Sequence, residues 1–258
     1  MKRLLFLIII MISTSSFAQL LNFNEAPTPI PMWKPTSEWE KTISKNDDFN
    51  NNVKNNTNYF IRDGKKIRNV DVIGDMYLSP DFHKARIIDK VSGEVINVYL
   101  RYRIFDDTFE ARKSTDDEAT LFLERSNQYD IKYNNLHFVF INKLPVFINE
   151  ANNGYVLVLS ENEKISLCKR LSQKYIPGQK TNSPMESDKK ARLINKENYF
   201  ININNILIEV EPDKRNAYKA FPNHQKELKQ FIKDHKLKFK ESSKDEDLIK
   251  LVSYYKKL

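Results

Sequence analysis

The chain is poor in residues that build cross-linked or glycine-rich proteins. Its 258 residues include one cysteine, Cys168, and five glycines. A single cysteine excludes an internal disulfide, so stability has to come from burial and hydrogen bonding. So few glycines argue against collagen-like chains, glycine linkers and phosphate-binding loops. Sixteen phenylalanines and twelve tyrosines supply apolar surface for a large core.

Familiar catalytic and metal-binding motifs are also missing. No two of the four histidines (His83, His137, His224 and His235) lie within five residues of each other, whereas metal ligands are often closely spaced. No Gly-x-Ser-x-Gly elbow or His-Glu-x-x-His helix occurs. Asp106-Asp107 and residues 116–118 fit turns better than a calcium loop, because the central glycine is absent. Cys168 lies in a strand-like apolar stretch typical of a buried thiol. We therefore expect no catalytic residue, metal ligand or cofactor.

Long apolar runs are lacking after the first eighteen residues. The start, Met1-Lys2-Arg3, is basic, residues 4–12 are apolar, and small residues at Ser16 and Ala18 suit cleavage after Ala18. A spanning helix requires about twenty apolar residues. Residues 1–18 therefore predict a cleavable export signal, with an uncleaved anchor as the alternative, and no transmembrane segment after cleavage. No cysteine follows the run, which argues against lipid attachment there.

The formal net charge of +8 is unevenly placed along the chain. Residues 213–258 hold thirteen Lys and Arg against seven Asp and Glu, whereas residues 19–212 hold 27 of each. A basic segment favours anionic partners such as lipid head groups or acidic envelope polymers, and an exported protein does not favour nucleic acid. The simpler interpretation is a lysine-coated, soluble helical surface. Lys229, Lys233 and Lys236 are the candidate partner-binding residues of this segment.

Residues 19–60 are rich in proline and asparagine. Proline removes backbone donors and asparagine favours turns, so this composition predicts an extended arm. Trp33 and Trp39 stand out in it. They either dock the arm onto the folded body or bind a partner, and both are candidate partner-binding residues.

Residues 61–212 show the two-residue period of half-buried strands. In residues 95–104, one face carries Ile96, Val98, Leu100, Tyr102 and Ile104. Strands recur about every ten residues without helical patterns between them, which predicts an antiparallel meander sheet, sandwich or barrel-like. The predicted strands are residues 85–90, 95–104, 109–112, 120–124, 131–133, 136–141, 146–148, 155–159, 165–171, 199–203 and 206–210. Residues 178–190 are a predicted loop, and Asn204-Asn205 a hairpin turn.

Residues 213–258 change to a helical period. Asn223 is the predicted cap of a first helix, and Ser243 to Glu246 form a predicted capping box for a second. These helices are too short to be stable alone. We therefore expect their apolar faces to pack on the sheet or, less simply, on a partner. The predicted fold class is α+β, mostly β, with short C-terminal helices.

Three stretches resemble a family of uncharacterised exported β-rich envelope proteins of Gram-negative bacteria. They are Gly74-Asp75-Met76-Tyr77, residues 100–110 and parts of residues 212–255. The resemblance covers most of residues 70–258 and implies a Gram-negative envelope protein with a β-rich body and C-terminal helices. The asparagine-rich arm departs from that pattern. The family brings no catalytic residue to this sequence.

The leading functional hypothesis is a non-enzymatic binding or assembly component of the envelope, in the periplasm, at the outer membrane or secreted. Its partner is expected to be an envelope protein or an anionic envelope component, and the sequence gives no oligomeric state. The alternative is an exported hydrolase or polysaccharide-active enzyme with dispersed acidic residues. That alternative predicts a cleft in which two carboxylates meet and one has a raised pKa. Residues 99–103 could form a platform on which sugars or bases stack. The simpler interpretation is a strand whose outward-facing Arg101 and Arg103 pair with charged residues on neighbouring strands.

Overall fold

The computed structural model describes residues 32–35, 59–62, 65–68, 72–117, 120–148, 151–162, 164–181 and 187–258. The predicted export signal and most of the predicted arm lie outside these residues. The described chain is mostly β, with one large open sheet and two short C-terminal helices, which confirms the predicted α+β class.

Fourteen strands and two α-helices are found within the described ranges. The strands are β1 (Met32–Trp33), β2 (Tyr59–Arg62), β3 (Lys65–Arg68), β4 (Val72–Ile73), β5 (His83–Asp89), β6 (Val95–Arg103), β7 (Thr108–Arg112), β8 (Leu121–Leu123), β9 (Tyr129–Tyr133), β10 (Leu136–Ile141), β11 (Gly154–Glu161), β12 (Ile165–Ile176), β13 (Ala191–Ile203) and β14 (Ile206–Val210). A 3₁₀ turn (Ala217–Ala220), α1 (Gln225–Asp234) and α2 (Lys244–Tyr255) follow. Neither described helix has the length and apolar composition needed to cross a membrane.

The large sheet consists of two antiparallel meanders that meet between β5 and β9. The order is β1-β8-β7-β6-β5-β9-β10-β11-β12-β13-β14, so each meander pairs its strands in chain order. Two short strands are parallel additions: β1 pairs with β8, and β4 pairs with β13 off the main path. Strands β2 and β3 form a separate hairpin. The predicted meander is confirmed, and the sheet stays open with β1 and β14 at its edges.

Asparagine pairs form two of the tight turns. Asn134 and Asn135 join β9 to β10, and Asn204 and Asn205 join β13 to β14, all four with φ between 48° and 65°. Two consecutive left-handed residues give the turn that matches strand twist, and asparagine tolerates this conformation. The predicted hairpin at residues 204–205 is therefore confirmed.

Two large hydrophobic clusters stabilise the fold. The first lies on one face of β5 to β11, where Tyr102, Phe109, Phe138 and Tyr155 pack with ring centroids 4.8 to 6.3 Å apart. Tilted and edge-to-face aromatic pairs add about 0.5–1.5 kcal/mol each beyond simple burial. The second cluster joins β11 to β14 to the 3₁₀ turn and the helices, through residues such as Leu167, Tyr199, Leu228, Ile232, Leu248 and Leu251. The helices thus pack on the sheet, as the simpler prediction had it.

The β12–β13 ladder is longer than the alternation predicts. Its register is continuous from Ile165 opposite Ile203 to Ile176 opposite Arg192. The added part is polar and partly exposed, and backbone pairing there needs no apolar side chain, so the sequence pattern under-reports it. The predicted strand at residues 146–148 is wrong, since only an isolated bridge joins Ile148 to Ala151.

Both predicted helix caps are wrong in detail. Helix α1 begins after His224, whose φ is 58° and whose side chain makes no cap hydrogen bond, rather than after Asn223. Ser243 does precede α2, but its side chain caps no backbone group. Its hydroxyl lies 3.1 Å from the carboxylate of Asp247 and donates to it instead. Ser243 therefore forms a hydrogen bond to the buried Asp247, one helical turn further on, instead of capping the helix.

Candidate partner-binding site

The segment before α1 is held by one aspartate. The carboxylate of Asp213 accepts the backbone N–H groups of Arg215 at 2.7 Å and Asn216 at 3.1 Å, and the Asn216 side-chain amide at 2.8 Å. An aspartate that accepts bonds from the next residues fixes a turn without needing a partner elsewhere. The turn leads into the 3₁₀ segment and sets the positions of Lys214 and Arg215.

Helix α1 buries one face and presents lysines on another. Leu228 and Ile232 are buried in the second hydrophobic cluster, while Lys229 and Lys233 are one helical turn apart. Like charges at this spacing destabilise a helix by about 0.2–0.5 kcal/mol. The Lys229 ammonium lies 5.6 Å from the ring centroid of Tyr218, within reach of a cation–π contact. The helix therefore gathers positive charge beside an aromatic ring.

Helix α1 ends in a Schellman motif with a lysine at the left-handed position. The Lys236 N–H donates to the Lys233 carbonyl at 3.1 Å, and the Leu237 N–H to the Ile232 carbonyl at 3.0 Å. This motif usually places glycine where Lys236 stands, with φ of 52°. A side chain in that conformation costs about 1–2 kcal/mol. Strained positions of this kind often belong to functional sites.

A buried carboxylate fixes the link after α1. Asp247 is only 5% exposed and accepts the backbone N–H groups of Lys238 at 3.0 Å and Phe239 at 2.8 Å. The Ser243 hydroxyl binds the same oxygen of Asp247. Because this acid belongs to α2, the link is tied to the second helix. The backbone of Lys238 is thereby fixed two residues beyond Lys236.

These segments enclose a concavity of about 560 Å³, the C-terminal groove. Six of its lining residues are basic and none is acidic. Across the described chain, none of these six forms an ion pair. The positive charge is therefore uncompensated and suits phosphate or carboxylate groups. The lining residues are Lys214, Arg215, Tyr218, Lys229, Ile232, Lys233, Lys236, Leu237 and Lys238.

The structure brings together three of the five predicted partner-binding residues: Lys229, Lys233 and Lys236 all line the C-terminal groove. Sequence reasoning missed Lys214, Arg215 and Lys238, although they belong to the same basic segment. Trp33 lies on β1, paired in register with Leu123 of β8, which fits attachment of that short stretch to the sheet. Trp39 lies outside the described residues, so its predicted role stays a prediction.

Asp107, in the β6–β7 turn, has a structural role. Asp107, with φ of 55°, pairs with the Arg170 guanidinium and accepts the Tyr102 hydroxyl at 2.6 Å and the Tyr155 N–H at 3.2 Å. Gly154 passes so close that a Cβ there would collide with Arg170 and Asp107. This network ties the turn to β11 and β12. In the described ranges, no group of three or more His, Cys, Asp or Glu is placed to hold a metal ion.

The arginines of β6 differ from each other. Arg101 lies opposite Glu110 in the β6–β7 ladder and donates to it from Nε at 3.1 Å, which confirms a cross-strand charge partner. Arg103 was predicted to face outward, but it is 3% exposed and lies 3.8 Å from the same Glu110. Arg103 is buried because the segment around Tyr77 pairs with the end of β6 and covers it there. Tyr102 belongs to the aromatic core, so a platform from residues 99–103 does not form as a unit.

Two carboxylates, Glu197 and Asp245, approach each other beside Tyr199 and are held by structural contacts. The Tyr199 hydroxyl lies 2.9 Å from Glu197 and 2.6 Å from Asp245 and can donate its one hydrogen to either, and Lys169 lies 3.4 and 2.5 Å from the two acids. Burial and these two acids raise the pKa of Tyr199. The cluster joins α2 to β12 and β13. Burial also raises the pKa of the Cys168 thiol to about 11, which keeps it protonated and a poor nucleophile near neutral pH.

No protein-family model matches the chain, and neither curated proteins nor solved structures yield a match. The envelope-family resemblance therefore stays a prediction. The C-terminal groove combines a concave shape, a fixed backbone and positive charge without ion-pair partners in the described chain.

Proposed function

We propose that this chain is an exported, non-enzymatic binding or assembly component of the cell envelope, and that it holds an anionic envelope molecule in the C-terminal groove. The observation that carries the proposal is the convergence of six basic side chains from three segments on one concavity without an acidic residue in its lining. A concave basic surface raises the local concentration of anionic partners and orients their charged groups.

The dipole of helix α1 explains only part of the positive charge in the groove. The negative end of the α1 dipole stabilises cations in the last turn, which accounts for Lys233 and Lys236. It does not account for Lys214, Arg215 or Lys238, which belong to other segments. Nor does it account for a lysine rather than a glycine at the left-handed position 236. Binding of an anion gives these residues a common role.

The groove is also rigidly supported. Its floor residues, Ile232 and Leu237, are 3% exposed and belong to the cluster that joins the helices to β12–β14. Since the surrounding backbone is already fixed by Asp213 and Asp247, little ordering is needed on binding. A pre-formed site of this kind lowers the entropy cost of binding, which a docking or assembly component requires.

Export is supported by residues 1–18, whose basic start, apolar run and small residues match a cleavable signal. The envelope is the compartment in which an exported basic protein meets anionic lipids and acidic polymers. The resemblance of residues 70–258 to exported Gram-negative envelope proteins supports the periplasm or the outer membrane as the site of action. Fractionation of cells that express the full chain tests this part of the proposal.

Flotation with phosphatidylglycerol vesicles tests the groove. The protein is expected to float with these vesicles at low salt, not with phosphatidylcholine vesicles, and to be released at high salt because screening shortens the range of the attraction. Each lysine near an anionic surface contributes about 1 kcal/mol, so Lys229→Gln/Lys233→Gln should weaken binding about thirtyfold. Direct titration with soluble polyglutamate distinguishes the two sources of the anion: tighter binding than to the vesicles favours an acidic polymer, and weaker binding favours a lipid.

The matched control is Lys226→Gln/Lys240→Gln, which removes the same charge from the same segment at two exposed lysines outside the groove lining. Equal weakening by both double variants would show that binding is delocalised and would remove the groove from the proposal. Flotation that persists at high salt would contradict an electrostatic site.

A further inference from the structure

A second basic concavity lies on the large sheet, far from the C-terminal segment in sequence. It has a volume of about 1020 Å³ and is lined by parts of β5, β6, β9 and β10, the Asn134–Asn135 turn and Lys113. We call it the sheet groove. Its lining includes four Lys and Arg side chains and no acidic residue. Like the C-terminal groove, it is lined by basic residues without an acidic one, but it is built mainly from strands.

The register places like charges directly opposite each other in this groove. Arg86 of β5 is the cross-strand partner of Lys132 of β9, and Lys132 is in turn the partner of His137 of β10. Neighbouring strands are about 4.8 Å apart, so the charged groups of Arg86 and Lys132 form a closely spaced row, with the His137 ring beside it. Like charges that face each other across strands are destabilising. The free protein therefore carries an unfavourable row that an anion would relieve.

The row is not neutralised by the surrounding protein. Within the described chain, Lys84, Arg86 and Lys132 form no ion pair. His137 differs, with its ring nitrogens 3.5 Å from Asp130 and 3.9 Å from Glu161. The same sheet can match its charges, as it does where Arg101 faces Glu110. The unmatched row is thus a local property of the groove.

Neutral polar and aromatic groups lie beside the cations. Lys84 and Arg86 face away from the core on β5, and their β6 partners are Tyr99 and Asn97. The partly buried Tyr99 ring offers an apolar face with a polar end, and amides both donate and accept hydrogen bonds. A sugar ring has complementary features, namely an apolar C–H face and hydroxyls. An arginine adds bidentate recognition of a carboxylate.

We propose that the sheet groove binds an acidic oligosaccharide, with its carboxylates on Arg86 and Lys132 and a sugar ring against Tyr99. The ligand combines the two chemistries that the groove presents, uncompensated positive charge and amide–aromatic surface. A bare polyphosphate would use only the first. This site is independent of the C-terminal groove, so the two proposals stand or fall separately.

Calorimetric titration of the full chain with tetragalacturonate tests the site, with maltotetraose as the neutral oligosaccharide and tripolyphosphate as the sugar-free anion. Tetragalacturonate is expected to bind more tightly than both and to weaken as salt rises. Arg86→Gln/Lys132→Gln should weaken it by about tenfold or more, because charge-assisted contacts are lost. Tyr99→Ser should weaken it as well, and Tyr99→Phe, which keeps the ring, should bind nearly as the parent does.

The control Lys226→Gln/Lys240→Gln removes the same charge at two exposed lysines outside both groove linings and should leave tetragalacturonate binding nearly unchanged. Thermal unfolding of every variant separates lost binding from lost folding. Three outcomes would overturn the proposal: no binding of tetragalacturonate, equal binding by the folded Arg86→Gln/Lys132→Gln variant, or tripolyphosphate binding at least as tightly as tetragalacturonate.

Discussion

Arg170 and Arg86 are both strand arginines of one sheet, yet their surroundings are opposite. Arg170 is 4% exposed and pairs with Asp107 inside a network that also contains Tyr102 and Tyr155. Arg86 is exposed and faces Lys132 across the ladder, without an ion pair in the described chain. Where charge holds the fold, the protein supplies a counter-charge. Arg86, which lines the sheet groove, has no such counter-charge in the described chain, and we propose that a ligand supplies it.

Removal of the buried charge should have the largest effect. Arg170→Gln leaves Asp107 buried without its ion-pair partner, so it is expected to lower the free energy of unfolding by about 3–5 kcal/mol, measured by urea denaturation. Asp107→Asn tolerates the same left-handed turn and serves as the partner variant. The double variant should lose less than the sum of the two single variants, since they break one shared contact. Additive losses would show that Arg170 and Asp107 act separately.

Lys236, which lines the C-terminal groove, should behave differently from Arg170 and Asp107. Lys236→Gly relieves the left-handed side chain, so the free energy of unfolding should rise by up to about 1 kcal/mol. The same change should weaken vesicle binding about fivefold, through the loss of one lysine contact. The matched variant Lys229→Gly, in the helix interior, should weaken binding too but lower stability by about 1 kcal/mol. If Lys236→Gly binds as the parent protein does, the lysine has no part in the groove.

The smallest effect is expected on the sheet. Arg86→Gln removes one of two facing like charges, so the free energy of unfolding of the unliganded protein should rise by about 0.2–1 kcal/mol. Arg101→Gln, the same substitution opposite the buried Glu110, should lower it. Urea titrations at low and high salt check both signs, because screening should diminish the gain at Arg86. If Arg86→Gln lowered the free energy of unfolding as much as Arg101→Gln does, Arg86 would be a structural charge like Arg101.

The strands and turns of the body could be predicted from local pattern. Alternation over residues 95–104 marks β6, and Asn204-Asn205 marks a hairpin turn, because both signals are carried by neighbouring residues. The polar first half of β13 was missed, since its pairing with β12 comes from the backbone ladder rather than from apolar side chains. Local signals thus identify elements better than they identify their ends.

The candidate sites depend on distant residues, so the sequence indicates them only in part. The charge excess of residues 213–258 pointed to Lys229, Lys233 and Lys236, but the convergence of Lys214 and Arg215 on them follows from packing of the helices. The sheet groove had no sequence signal, because Arg86 and Lys132 meet only through the junction of the two meanders. The same holds for Asp107, which was assigned to a turn without its partner Arg170.

The strand order also bears on assembly of the chain during folding. A molecule in which only β5 to β8 have paired leaves β5 as a free edge until β9 arrives. Free edges invite pairing with a second molecule, and charged side chains on them discourage it. Lys84 and Arg86 are both exposed on β5, so a chain whose β5 edge is still unpaired would present two cations there. Arg86, assigned to ligand recognition in the folded protein, would then also discourage aggregation while the chain is folding.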